Sequence, residues 1–68
     1  MTAYAIIERR INGDMCMEVF TDGKLTKTAL KSGSVEREIA EAMHPDDTIN
    51  RGGKLMTGRE LQRLLSPL

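Results

Sequence analysis

Cysteine, aromatic residues and net charge are all scarce in this chain. It has one Cys, Cys16, one Tyr, Tyr4, one Phe, Phe20, and no Trp in 68 residues. A single thiol excludes an intramolecular disulfide. With a single imidazole, His44, it also leaves too few ligands for a Cys/His structural zinc site within one chain. So few aromatic rings leave little on which nucleic-acid bases could stack. No apolar run approaches the ~20 residues of a membrane span. The apolar start, Met1 to Ile7, carries its charges Glu8, Arg9 and Arg10 behind it, which is not the order of a signal peptide. A lone cysteine without such a leader points to a reducing compartment. A soluble cytoplasmic protein with no membrane partner is expected.

Ten basic residues balance ten acidic ones, so no global field draws the chain to nucleic acid or to an anionic surface. The charges are unevenly spread. Residues 1–33 carry five basic and four acidic groups, residues 34–50 one and five, and residues 51–68 four and one. The acidic middle and the basic end can neutralise each other across a fold.

A chain this short buries only about 60% of the surface it exposes when unfolded. It is therefore expected to form one marginally stable domain over 1–68, for which a partner or a second copy would be a natural support. Residues 3–10 alternate Tyr4, Ile6, Glu8 and Arg10 with Ala5, Ile7 and Arg9, the pattern of a strand. Asn12-Gly13 can take the positive φ of a two-residue hairpin turn before a second strand over 15–21. A two-residue loop there pairs Ile6 with Val19 but sets Ile7 against Glu18. A loop that includes Asp14 reverses the facing, so the register stays open.

Asp22-Gly23 is the stronger hairpin signal, set between strand formers and leading into a third strand over 24–30. A regular ladder from that turn pairs Thr21 with Lys24, Phe20 with Leu25, Glu18 with Lys27 and Cys16 with Ala29. It puts Met15, Met17 and Val19 on one face, and Cys16, Phe20, Leu25 and Ala29 on the other.

Ser34 is the expected N-cap of a helix over 35–43, with Glu36 and Glu38 in its first turn. Val35, Ile39 and Met43, with Ala42 beside them, form its apolar face, and His44 and Pro45 close it. Residues 45–56 read as turn and loop, with at most a brief hairpin through 48–50 and 54–56. A last helix over 58–65 is marked by a capping box, Thr57 with Glu60, and by a staple, Met56 with Leu61. Leu61, Leu64, Leu65 and Leu68 make its apolar stripe and Pro67 its stop. The fold class expected is α+β: a three-stranded antiparallel sheet followed by two short helices packed on one face.

No catalytic pair stands at a telling spacing. Cys16 reads as a small packing residue. His44 with Asp46 and Asp47 reads as a helix-end turn rather than a metal site. Gly52-Gly53-Lys54 lacks the spacing of a phosphate loop. No catalytic residue, metal or cofactor is expected.

Two groups remain as candidate binding residues. Arg51, Lys54, Arg59 and Arg63 gather around the start of the last helix and would suit phosphate or nucleic acid. Met15, Met17 and Val19 would suit a protein partner if their face is uncovered. The function expected is a small non-enzymatic interaction or regulatory protein that binds a macromolecular partner or itself. A nucleic-acid or phosphate-binding module is the alternative, and an enzyme ranks last.

Overall fold

The computed structural model describes residues 1–66 and contains five strands and two helices. β1 (Ala3–Ile11), β2 (Asp14–Thr21) and β3 (Lys24–Leu30) form an antiparallel meander. Helix α1 (Gly33–Ala42) then crosses to β4 (Thr48–Arg51), which pairs with β1 in parallel. β5 (Lys54–Thr57) returns antiparallel to β4 and runs straight into α2 (Gly58–Leu65). The sheet order is β3-β2-β1-β4-β5.

The α+β class holds, but the sheet is five-stranded and mixed rather than three-stranded and antiparallel. The difference is the stretch expected to be mostly loop. Residues 48–57 form a short hairpin turned at Gly52-Gly53, both at positive φ (61° and 94°). Each strand is only four residues long, too short for a period to show. What stabilises them is β1, whose edge supplies the ladder from Ala3 to Ile6.

The Asn12-Gly13 turn has two residues at positive φ, and the register pairs Ile6 with Val19 and Ile7 with Glu18. Asp22-Gly23 also turns as expected, and Thr21–Lys24 and Phe20–Leu25 pair. Beyond them the ladder slips by one residue at a bulge, so that Glu18 opposes Thr28 and Cys16 opposes Leu30, not Lys27 and Ala29. Thr26 is the extra residue. Its hydroxyl donates to the Val19 carbonyl at 3.2 Å and lies 2.9 Å from the Thr21 hydroxyl. The slip moves Ala29 to the face of Met17, where it packs on the core, and sends Leu30 to the other face.

Helix α1 starts earlier than expected. Ser32, not Ser34, occupies the N-cap position, and it makes no capping bond because its hydroxyl meets that of Ser34 at 2.8 Å. Val35, Ile39 and Met43 are buried as expected, but their companion is Ala40 rather than Ala42. In α2 the capping box is complete, with the Thr57 hydroxyl accepting from the Glu60 amide and the Glu60 carboxylate accepting from the Thr57 amide. Leu61 is wholly buried while Leu64 is 60% exposed. Pro67 and Leu68, the expected stop and the end of the stripe, lie outside the described residues.

Both helices cover the same face. The core between them and the sheet is Ile6, Met17, Val19, Val35, Ile39, Ala40, Met43, Ile49, Met56 and Leu61. Gln62 ties the helices together: its side-chain amide donates to the carbonyls of Ala40 and Met43, which the end of α1 would otherwise leave without partners.

Candidate functional site

Because the helices cover one face, the alternation of the strands leaves the other without a second layer among the described residues. On that face Ile7, Leu25, Leu30 and Leu55 are 49–69% exposed, with Phe20 half-buried between β1 and β3. Cys16 and Glu18 lie at its centre, both buried among their neighbours. The Glu18 carboxylate is 3.6 Å from the Arg9 guanidinium.

The expected partner surface is therefore corrected. Met17 and Val19 are core residues under the helices, and only Met15, at the far end of the same strand, reaches solvent. The face of the methionines is the covered one because Ile6, Ile49 and Met56 share it and extend it across β1, β4 and β5. In a meander alone the two faces are nearly equivalent, and it is the added hairpin that biases the choice.

The four candidate cations divide into two pairs. Arg51 and Lys54 face each other across the β4–β5 turn and line a cavity of about 760 Å³ beside β1. Ala5, Ile6, Ile7 and Glu8 form its floor, Glu36 of α1 its wall, and Gly52 and Gly53 its rim. Arg51 is paired with Glu36 at 2.5 Å, both about three-quarters shielded. Glu36 thus turns into the structure, although the helix pattern alone places it on the outer face. Arg59 and Arg63 stand exposed on α2, outside the cavity.

The start of α2 offers no free amides to an anion. The Gly58 amide donates to the Asp47 carbonyl, the Arg59 amide to the Pro45 carbonyl and the Glu60 amide to the Thr57 hydroxyl. These bonds use the groups on which phosphate recognition by a helix N-terminus depends.

Asp47 is a structural hub that the turn chemistry of its sequence did not reveal. Its carboxylate accepts from the Thr2 amide at 2.8 Å and from the His44 amide at 2.9 Å. It thereby joins the start of β1 to the end of α1. The Thr2 amide first and the His44 amide second hold its carboxyl below the ordinary value of 3.8. His44 lies past the end of α1, with its Nδ1 accepting from the Asp46 amide at 3.2 Å. Cys16 is on the helix-free face, so the thiol and the imidazole belong to different parts of the fold. Among the described residues no three His, Cys, Asp or Glu side chains converge as metal ligands, and no helix is long and apolar enough to cross a membrane.

In comparisons with protein families, with curated proteins and with solved structures, nothing matches this chain.

Proposed function

We propose that this chain is a small, non-enzymatic interaction protein of the cytoplasm that docks a macromolecular partner, or a second copy of itself, through its helix-free sheet face. The observation that carries this is the exposure of Ile7, Leu25, Leu30 and Leu55 together on that face. A contiguous group of large apolar side chains is the usual mark of a docking area, and here Phe20 and Cys16 on β2 connect Leu25 and Leu30 with Ile7, while Leu55 stands apart beyond Asn50. Size gives a second support, since a domain this small gains relatively much from covering a further layer.

The dimensions also set the kind of contact. Strands ~4.8 Å apart with a rise of ~3.3 Å per residue give a face of roughly 500 Å² here. That is below the ~800 Å² per partner of a standard interface, so contact through this face alone is of the transient class. Light scattering from micromolar to millimolar concentration, together with a pulldown from a native extract, tests the proposal. Self-association or a retained partner that is lost in Leu30→Lys is the expected result. A strict monomer that retains nothing, or a partner held equally well by Leu30→Lys, refutes it.

A further inference from the structure

We propose that the free part of the β1 edge, beside the β4–β5 turn, is a strand-addition site for an extended acidic segment of a partner protein. The proposal rests on the interaction function above only in taking a protein as the partner, for it uses a different surface.

The backbone pattern shows where hydrogen-bonding groups are left over. The Thr48 amide donates to the Thr2 carbonyl, and the Asp22 amide donates to the Ala3 carbonyl. Even-numbered residues of β1 thus turn their backbone groups toward β4 and odd-numbered ones toward β2. β1 pairs with β2 as far as Ile11, but with β4 only from Ala3 to Ile6. The next groups on the β4 side, the N–H and C=O of Glu8 and Arg10, meet no strand among the described residues. Natural sheets blunt such an edge with proline, a bulge, a covering loop or charged side chains. Here the free stretch carries charges, Glu8, Arg9 and Arg10, and beside it lies a cavity of about 760 Å³. A strand residue occupies roughly 160 Å³, from a rise of ~3.3 Å, a spacing of ~4.8 Å and a layer of ~10 Å. The cavity therefore has room for about four or five residues; of β1 it is lined by Ala5, Ile6, Ile7 and Glu8, and the free edge runs on past it to Ile11.

Charge selects the occupant. Three nearby carboxylates already have partners, Glu8 with Lys31 at 2.9 Å, Glu36 with Arg51 and Glu18 with Arg9, while Asp14, opposite Ile11, has no cation within ion-pair distance among the described residues. Lys54 on the rim and Arg10 at the far end of the free edge have no carboxylate within ion-pair distance among the described residues. The surplus beside the unpaired backbone is positive. An added strand carrying glutamate or aspartate would place its acids against Lys54 and Arg10 while its backbone extends the sheet, the mode known as strand augmentation. A second copy is disfavoured, because pairing two such edges brings like charges together.

The test is a titration of the full-length chain with a capped hexapeptide alternating glutamate and valine, read by amide chemical shifts and hydrogen exchange. A peptide with lysine in place of glutamate and a single-stranded oligothymidylate are the comparison ligands. The expected result has the Glu8 and Arg10 amides exchanging fast in the free protein and at least ten-fold more slowly with the glutamate peptide bound. Lys54→Glu and, separately, Arg10→Glu should each weaken that binding at least ten-fold at unchanged melting temperature. Slow exchange of those two amides in the free protein overturns the proposal, as does equal binding of the lysine peptide. Protection of the same amides by self-association, or stronger binding of the oligonucleotide, also overturns it. A response confined to Ile7, Leu25 and Leu30 overturns the strand-addition site while supporting the sheet face as the docking surface.

Discussion

Replacing Gly58 with alanine should damage this fold more than any exposed substitution, although glycine to alanine in a helix normally helps. A Cβ built at Gly58 lies 2.4 Å from the His44 carbonyl oxygen and 3.4 Å from the Pro45 Cα. Both obstacles are backbone, so no side chain can swing away. Relief requires the start of α2 to move off the turn after α1 by about 1 Å, judged from the separation that ordinary carbon–oxygen packing needs. That movement strains the Gly58 amide bond to the Asp47 carbonyl at 2.8 Å and the Arg59 amide bond to the Pro45 carbonyl at 3.1 Å. Overpacking of this kind costs about 1–3 kcal/mol, and two weakened hydrogen bonds add about 0.5–1.5 kcal/mol each. The better helix propensity of alanine returns at most about 1 kcal/mol. The net loss expected is about 1–5 kcal/mol, or a fall in melting temperature of roughly 4–40 °C for a domain of this size. Thermal and urea denaturation followed by circular dichroism measure it. Gly33→Ala is the internal control, because it meets nothing within 4 Å and opens α1 at an ordinary φ. It should be neutral or slightly stabilising. A Gly58→Ala variant as stable as the parent would refute the claim that this close approach is built into the fold.

Acid should loosen the junction that Asp47 holds. Its folded pKa lies below 3.8, so its contribution is complete above that value and disappears as the pH falls through the lower folded value. Denaturation curves measured down to pH 2 should show less acid dependence in Asp47→Asn than in the parent, and identical slopes would contradict the assignment. Leu61→Ala, which truncates a fully buried side chain, should cost about 2–5 kcal/mol. Leu64→Ala, three residues on and largely exposed, should change stability by no more than about 0.5 kcal/mol. Gln62→Ala leaves two carbonyls at the end of α1 without their donor and should cost about 1 kcal/mol by urea denaturation. Its hydrogen exchange should quicken at the end of α1 and not in the β1–β2 ladder.

The legible parts of the fold are those whose signals are local. Asn12-Gly13 and Asp22-Gly23 specify tight hairpins because few residues tolerate their φ values, and the strands follow from the turns. Thr57 and Glu60 specify the start of α2 because each satisfies an amide of the other. The bulge at Thr26 was not legible. A hydroxyl that reaches back to Val19 looks like any strand threonine, yet it moves every later residue of β3 to the opposite face. In the candidate sites, the loop cations Arg51 and Lys54 were visible as charges. Their position beside an unpaired stretch of β1 depends on where β4 ends, which is a matter of strand pairing over a long sequence separation.

By itself the sequence determined that this is a small α+β chain, with its first two hairpins and its final helix in place, because turn and cap chemistry act within a few residues. Tertiary structure decided the rest. Whether the four-residue segments of β4 and β5 form strands depends on the edge of β1, more than forty residues earlier in the chain. Once they join, Ile49 and Met56 tip the apolar balance of the sheet toward the face of Met17 and Val19. The helices cover that face, and Ile7, Leu25, Leu30 and Leu55 are left exposed on the other. No local pattern encodes that choice, since it is made by the summed burial of residues from every strand of the sheet.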